Sequence, residues 1–497
     1  QVRVWDTLIA NHLLKKNICV PPREDHIKET KYEGAYVKEP QLGQHKWVVS
    51  FDINSLYPHI IIQYNISPEK ILGVKSSGVS VTKMLSNQTP LAHLKTEGAC
   101  ITPNGAMFRN DSQGFLPEMM ETMYNERVIY KNRMLKAKRE YEKTKDPKLV
   151  KEISRCHNIQ WARKIALNSA YGAVGNQYFR YYDVRQASGI TTAGQFIIRF
   201  IESKVNEYLN RILQTHDKID YIVASDTDSI YVTLDKLVEK TCEGKTNDQI
   251  CNFIDKVVGS RIEPFLEKCF GELSDYTNAF KNCMVMKREV IADKGIWVAK
   301  KRYMLNVLDE EGVRLSDPKL KLMGIEAVKS STPQVCRGRI KEAIKIIMSK
   351  EQSDLHKFIA DFKKEFLQMP AEAISFPRSC NNIKKYRDNN SVFIKGTPIH
   401  VKGALIYNYQ LKQFNLGRKY PFIQDGDKIK FLKLLEANPF KFDVISYMTK
   451  LPTEFKLEQY IDYELQFEKT FLDPMRFILQ AIGWKHEPTA NLEAFFG

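Results

Sequence analysis

Apolar positions along this chain repeat first with a helical period and then with a strand period. Trp5, Leu8, Ile9 and Leu13 recur at helical spacing near the start, and Pro21-Pro22 closes that segment as a linker or boundary. From Lys46 to about Leu116 the pattern becomes strand, turn and helix. WVVSFD (47–52) predicts a buried strand, and SLYPHIIIQY (55–64) predicts the helix after it. Residues 117–175 predict two helices. One starts at Pro117, a residue tolerated in a first turn, and runs through NERVIYKNRMLKAKREYEK. The other ends at Gly172, and Asp146-Pro147 marks the turn between them. Helices and strands mix from 177 to about 329, with a hairpin signal at YIVASDTDSIYVT (221–233). From 330 onward helical patterns dominate, over 337–368 and 453–482, and the tail after Gly483 is loose. No internal repeat or low-complexity tract interrupts this order.

Composition narrows the partners. At roughly 150 residues per domain, 497 residues predict about three domains. Lys and Arg number 75 against 59 Asp and Glu, and a surplus of 16 favours a polyanion such as nucleic acid over a neutral partner. The basic residues are abundant from 281 to 345, interleaved with Trp297 and Tyr303, which suits contacts to duplex phosphates; a solvated face explains most single lysines equally well. Nine scattered cysteines without a C-x-x-C argue against a disulfide framework or structural zinc and suit a reducing compartment. The ten histidines show no metal-ligand spacing. There is no 18-residue apolar run to span a membrane and no signal-peptide pattern after Gln1. A chain that is not secreted, and that is a processed or excised piece, is expected.

Three constellations carry chemistry. In Asp52-Ile53-Asn54-Ser55-Leu56-Tyr57-Pro58 a buried strand delivers an acid at its end and the chain turns into a helix. The first-turn N–H groups of that helix face an anion, and the acid suits Mg²⁺ beside bound phosphates; a simple helix cap explains Asp52 about as well. Ser225-Asp226-Thr227-Asp228-Ser229 sets two acids at a hairpin tip. Like charges about 4 Å apart repel by roughly 1 kcal/mol in water and roughly 4 kcal/mol at an effective dielectric of 20, a cost that a divalent cation removes. A polar turn alone would also use these residues, but the flanking YIVA and IYV imply a buried hairpin. Lys164, Asn168 and Tyr171, at offsets of 0, 4 and 7, share one helical face, and Arg127 and Lys131 share another. Together they can face a triphosphate, Arg as a fork and Lys as a point charge; taken alone, Arg127 and Lys131 read as a solvated face. Two carboxylate sites with a basic helical pair between them in sequence suit two-metal phosphoryl or nucleotidyl transfer.

These motifs carry a family resemblance. DINSLYP, KIALNSAYG and SDTDS resemble motifs A, B and C of family B DNA polymerases, in that order and spacing. YEGAYVKEP (32–40) resembles the Y-x-G-[GA] segment, and KKRY (300–303) the motif that tracks the primer–template duplex. KVNEYLN (204–210), FRYYDVR (179–185) and KLKLMGIEAVKSSTP (319–333) are most similar to polymerases of T-even-like bacteriophages.

The resemblance implies an α+β right-hand fold, with an antiparallel palm sheet, helical fingers and a mostly helical thumb. Residues 1–23 would be a linker helix toward an N-terminal or exonuclease region; 24–113 and 177–329 the palm; 114–176 the fingers; and 330–497 the thumb. It implies a template-directed DNA polymerase in viral replication in the host cytoplasm, using primer–template DNA, dNTPs and two Mg²⁺ ions, for which Mn²⁺ can substitute. Asp52, Asp228 and the Ile53 carbonyl would hold metal, with Asp226 a third, less directly coordinating acid. Ser55, Leu56 and Tyr57 would hold the triphosphate through backbone amides, and the Tyr57 ring would lie under the sugar and exclude a 2′-OH. Arg127, Lys131, Lys164 and Asn168 would contact the triphosphate, and Lys164 would also be catalytic. Tyr171 and Gly172 would lie under the nascent base pair. Gly34, Lys300, Lys301, Arg302 and Tyr303 would touch DNA. Leu492, Phe495 and Phe496 resemble a sliding-clamp-binding peptide, with Thr489 where Gln is usual.

Departures from the pattern are specific. Motif A usually continues Pro-Ser, and here it is Pro58-His59; the residue before Asp226 is usually Gly, and here it is Ser225. Residues 136–155 leave no room for the long insertion of the phage relatives between the finger helices. No Asp-x-Glu exonuclease signature precedes the palm, so a chain that does not proofread alone is expected, half of a split enzyme with a separate exonuclease chain or a truncated one. Two other classes compete: a catalytically silent replication subunit, and a metal-dependent nuclease. Asp52, Asp228, Lys164 and Tyr57 together argue against the first; a nuclease could also use paired acids, but the triphosphate-binding face and Tyr57 argue against it.

Overall fold

The structure is a computed structural model that describes residues 2–27, 31–75, 78–215, 219–388 and 391–488. Leu492, Phe495 and Phe496 lie outside the described residues. The chain divides into two compact units: residues 1–41, 45–295 and 306–319, and residues 42–44, 296–305 and 320–497.

The first unit starts with α1 (Val2–Lys15), which buries Trp5, Ile9 and Leu13, the stripe its sequence period predicts. β1 (Gly43–Ile53) follows and leads through Ser55 into α2 (Leu56–Gln63). β2 (Ile71–Val74), β3 (Ala99–Ile101) and β4 (Ala106–Arg109) form a small sheet in the order β2-β4-β3, beside the short helices α3 (Val81–Leu85) and α4 (Leu94–Glu97). Two long helices come next, α5 (Phe115–Thr144) and α6 (Pro147–Val174). Asp146 caps α6 by accepting from the Lys148 amide, and Pro147 occupies its first turn, where no N–H is needed. α7 (Val184–Leu213) is capped in the same way by Asp183.

The hairpin strands β5 (Ile222–Asp226) and β6 (Ser229–Thr233) add to β1, and with β7 (Met286–Ala299), β8 (Arg302–Glu310) and β9 (Val313–Met323) they form a six-stranded sheet. Its order is β5-β6-β1-β7-β8-β9. β1 and β6 run antiparallel with Asp52 opposite Ser229, and Asp226 also faces Ser229 across the hairpin. Val49, Phe51, Ile53, Ile222, Ile230 and Val232 are fully buried. Each such side chain contributes about 1.5–3 kcal/mol on leaving water, so the acids at the strand ends stand on a rigid base.

The second unit departs from the helical pattern expected after 330. Helices do cover Gln334–Ser349, Gln352–Phe366 and Ile399–Gln413, but Phe376–Ser379, Lys428–Lys433 and Val444–Tyr447 form a three-stranded sheet. The alternating KIKFLK and the fully buried VISY are strand signals with period two, too short to register against the helical stretches around them. The helix expected over 453–482 starts only at Tyr463, after 3₁₀ turns at Thr453–Phe455 and Glu458–Tyr460.

Candidate active site

Strand β1 carries Asp52 one residue before its end, and the β5–β6 hairpin turns over Asp226-Thr227-Asp228-Ser229 beside it. The Ile53 amide donates to the Asp228 carbonyl at 2.8 Å, so the backbone ties the two acid-bearing segments together. The turn is tight: the Asp228 amide reaches the Asp226 carbonyl at 2.7 Å, and Thr227 adopts a left-handed φ of 61°. Ser229 Oγ donates to Asp52 Oδ1 at 2.7 Å, and Thr227 Oγ1 to Asp226 Oδ1 at 3.0 Å.

Asp52 and Asp228 line one cavity of about 480 Å³ with Ser55, Arg127, Lys131, Lys164 and Asn168. Residues far apart in sequence therefore converge on one cavity. Arg127 is 7% exposed, so it is no part of a solvated face. Its Nη1 donates to Ser55 Oγ at 2.8 Å and its Nε to Gln160 Oε1 at 3.4 Å. Lys131 pairs with Glu311 at 2.5 Å, and Lys164 lies over the Trp161 ring at 5.7 Å. Ile53 and Leu56 have buried side chains in the core, which leaves their backbone groups for any role at the site. Tyr57 stacks tilted against Tyr171 at 4.6 Å, and the Tyr171 hydroxyl donates to Tyr32 Oη at 3.4 Å. A Cβ on Gly172 would meet no protein atom, so internal packing does not require that glycine.

Electrostatics single out the two acids. Desolvation pushes the Asp52 carboxyl up most, the Ser229 hydrogen bond opposes it, and Glu289 adds to the rise. Desolvation and the charge of Asp52 push Asp228 up, and Lys164 opposes both shifts. Two desolvated hard oxygen groups that repel each other are a donor set for a small divalent cation such as Mg²⁺. Among the described residues no group of three or more His, Cys, Asp or Glu forms a metal cage.

A carboxyl raised in the fold above its unfolded value of 3.8 destabilises the fold once ionised. Above that pH the folded state holds more protons, so the contribution of this pair to stability declines as pH rises. In metal-free protein, Asp228→Asn is therefore expected to raise Tm by a few degrees at pH 8 and by less at pH 5. An Asn variant less stable than the parent at both pH values, measured by calorimetry, would contradict this electrostatic account.

Some cavity residues were not legible as site residues. Glu289 in β7 lines the cavity and receives Ser50 Oγ at 3.4 Å, yet a lone Glu in a strand of mixed charge carries no motif. Gln160, Trp161 and Glu311 line it too, and only the helical offset of 160 and 161 from Lys164 hints at that. Within the basic stretch, Arg288 lines the same cavity but is paired with Asp309 and Asp255 at 2.5 and 2.8 Å, so its charge is compensated within the protein. His59 lies behind the cavity between α2 and α5. Its Nδ1 donates to the Ser55 carbonyl at 3.1 Å and its ring meets Tyr124 edge-on at 4.3 Å. Gly34 is exposed, its carbonyl accepting from Gln195 at 2.7 Å. In the second unit, Lys300 and Lys301 are exposed, Arg302 is paired with Glu326 at 2.7 Å, and Tyr303 is buried against Trp297.

The family model of DNA polymerase family B matches residues 1–391. The chain belongs to DNA polymerase family B. The DNA-directed DNA polymerase of Escherichia phage RB69 is 35% identical over the whole chain, and that of Enterobacteria phage T4 is 32% identical. The chain spans 60% of the length of these phage relatives. Their alignments run over 551 positions against 497 residues here, so the family B relatives carry residues within the aligned region that this chain lacks. DNA polymerase 1 of Pyrococcus abyssi (strain GE5 / Orsay) is 26% identical over 69% of the chain and 39% of its own length. Among the described residues of this family B chain, no helix is long and apolar enough to cross a membrane.

Proposed function

We propose that this chain is the polymerase part of a bacteriophage DNA polymerase, adding deoxynucleotides to a primer 3′-OH in viral replication within the host cell. One observation carries the reading: two mutually repelling, desolvated carboxylates, Asp52 and Asp228, share a cavity with Arg127, Lys131 and Lys164. A silent scaffold has no use for that unfavourable pairing, and a nuclease has no use for the triphosphate cations. On this reading residues 24–113 and 177–329 form a palm, 114–176 the fingers and 330–497 a thumb.

Asp52, Asp228 and the Ile53 carbonyl would hold divalent cations, with Asp226 in support. Such ions would supply Lewis-acid stabilisation of the attacking and leaving oxygens. Lys164, Lys131 and Arg127 take the triphosphate charge, and Lys131 exchanges Glu311 for phosphate. The Leu56 and Tyr57 amides at the start of α2 lack intrahelical partners and add donors to the phosphates. Asn168 completes that face of α6. The 3′-oxygen attacks the α-phosphorus, and pyrophosphate leaves toward the cations. Tyr171 and the open side of Gly172 bear on the new base pair. Gly34 and Lys300–Tyr303 contact primer–template DNA, and Leu492, Phe495 and Phe496 bind a sliding clamp.

The Tyr57 ring, held by Tyr171, closes the space beside a 2′-hydroxyl. Burial and the nearby Asp228 charge push its own hydroxyl up to about 12, so it stays neutral. Tyr57→Val is expected to relax discrimination against ribonucleotides at least about ten-fold in competing kcat/KM, with dNTP use retained. Unchanged discrimination would remove the steric role.

The test of the whole reading is extension of a recessed primer with Mg²⁺ and all four dNTPs. Templated extension supports it, and no incorporation with Mg²⁺ or Mn²⁺, while DNA still binds, would support the scaffold reading instead. A lane without dNTPs shows whether this chain shortens the primer.

A further inference from the structure

Helix α7 turns one polar stripe toward the backbone that leads into the acid hairpin. Gln195, Arg199, Glu202, Asn206 and Asn210 recur every three or four residues and so share a face. Gln195 holds the Gly34 carbonyl at 2.7 Å, and Arg199 lies over the Tyr36 ring at 5.4 Å. Asn206 accepts from the Tyr221 amide at 2.8 Å, and Asn210 from the Ile219 amide at 2.9 Å. Between them, Ser225 Oγ donates to the Glu202 carboxylate. Ser225 is 2% exposed and Glu202 9%.

The position matters because Ser225 immediately precedes Asp226, in the place where the family motif usually carries a glycine. A glycine offers no hydroxyl and leaves the backbone freer. Here the residue is held on three sides. Its carbonyl accepts from the Lys38 amide at 3.2 Å, it is registered opposite Ile230, and its side chain is tied to α7. Glu202 faces the charges of Lys38, Arg199 and Asp220, and Lys38 is itself paired with Asp220 at 2.6 Å. A hydrogen bond from a hydroxyl to a buried carboxylate is among the stronger ones, and removing the donor leaves the charge with a full desolvation cost.

We propose that Ser225 and Glu202 are a positioning pair that holds the Asp226–Asp228 turn in its metal-ready form before any cation binds. The turn needs such a hold, because it combines a left-handed Thr227 with two acids and sits beside Asp52. Neither residue lines the cavity that Asp52 and Asp228 share; Glu202 lines a separate cavity of about 730 Å³ with Tyr36 and Arg199. The pair therefore acts through the hairpin and not on the substrate. The inference rests on the reading of Asp228 as a metal ligand.

Two readouts test it, one of them independent of catalysis. In metal-free Ser225→Ala, amide hydrogen exchange over residues 222–229 is expected to speed up about ten-fold, with exchange in α5 and α6 unchanged. The Mg²⁺ concentration for half-maximal extension is expected to rise about ten-fold, while saturating Mg²⁺ restores the rate. Glu202→Gln keeps an acceptor and is expected to behave like the parent. Ser225→Ala combined with Glu202→Leu removes both polar groups without stranding either, so it stays folded if the single variant does not, and it too is expected to loosen the hairpin. Parental exchange and parental Mg²⁺ dependence in the folded variant, single or double, overturn the proposal. Asp228→Ala, assayed in parallel, separates the two claims: if it still extends primers, the metal-ligand reading fails whatever the exchange data show.

Discussion

Asp228→Ala and Asp52→Ala are each expected to lower primer extension by roughly a thousand-fold or more while leaving primer–template binding intact. Desolvation raises both carboxylates of the cavity, and the charge of Asp52 raises Asp228 further. On the two-metal reading, removing one takes away both a ligand and the charge that favours a second ion. Metal clamping of attacking and leaving oxygens is worth several kcal/mol, and about 4 kcal/mol corresponds to roughly a thousand-fold in rate. DNA affinity does not fall, because losing a negative charge near phosphates removes repulsion. Single-turnover extension with a parallel gel-shift titration reads both quantities. A variant extending near the parental rate would end the two-metal reading. Asp226→Ala is expected to cost less, since that acid faces Thr227 Oγ1 at the turn and does not line the cavity.

The second large effect concerns Lys164. Its charge bears on both Asp52 and Asp228, and it lines the same cavity as Asn168 one turn away. Lys164→Ala is expected to reduce kcat/KM for dNTP by about a hundred-fold, in the range of one lost charge-assisted contact that is stronger in the transition state. Lys164→Arg keeps the charge but changes a point charge to a planar fork, so it is expected to recover only part of the loss. If Lys164→Ala instead leaves kcat/KM within a factor of about two, the triphosphate role falls and the lysine serves only to support the carboxylates. Tm measured with and without Mg²⁺ then shows that supporting role directly.

Much of this was legible in the chain alone. Apolar runs around Asp52 and around Asp226-Thr227-Asp228 announced buried strands ending in acids, because a strand buried on both faces needs continuous apolar side chains. The α5–α6 pair and its turn at Asp146-Pro147 were equally plain, since capping and the first-turn tolerance for proline are local effects. The sheet at 376–379, 428–433 and 444–447 was not, because its strands are short and separated by other elements.

Residue types, their order and their periods thus determined the acid-bearing strands, the basic helical faces and the family they belong to. Local backbone preference and side-chain period act within a few residues of each position. Tertiary structure alone decided that Arg127 is buried on Ser55, that Lys131 is paired with Glu311, that Glu289 joins the cavity and that Ser225 is tied to Glu202. Those facts depend on contacts between segments tens to hundreds of residues apart. Burial and hydrogen-bond partners at such separations are set by the packing of whole elements, which no local pattern encodes.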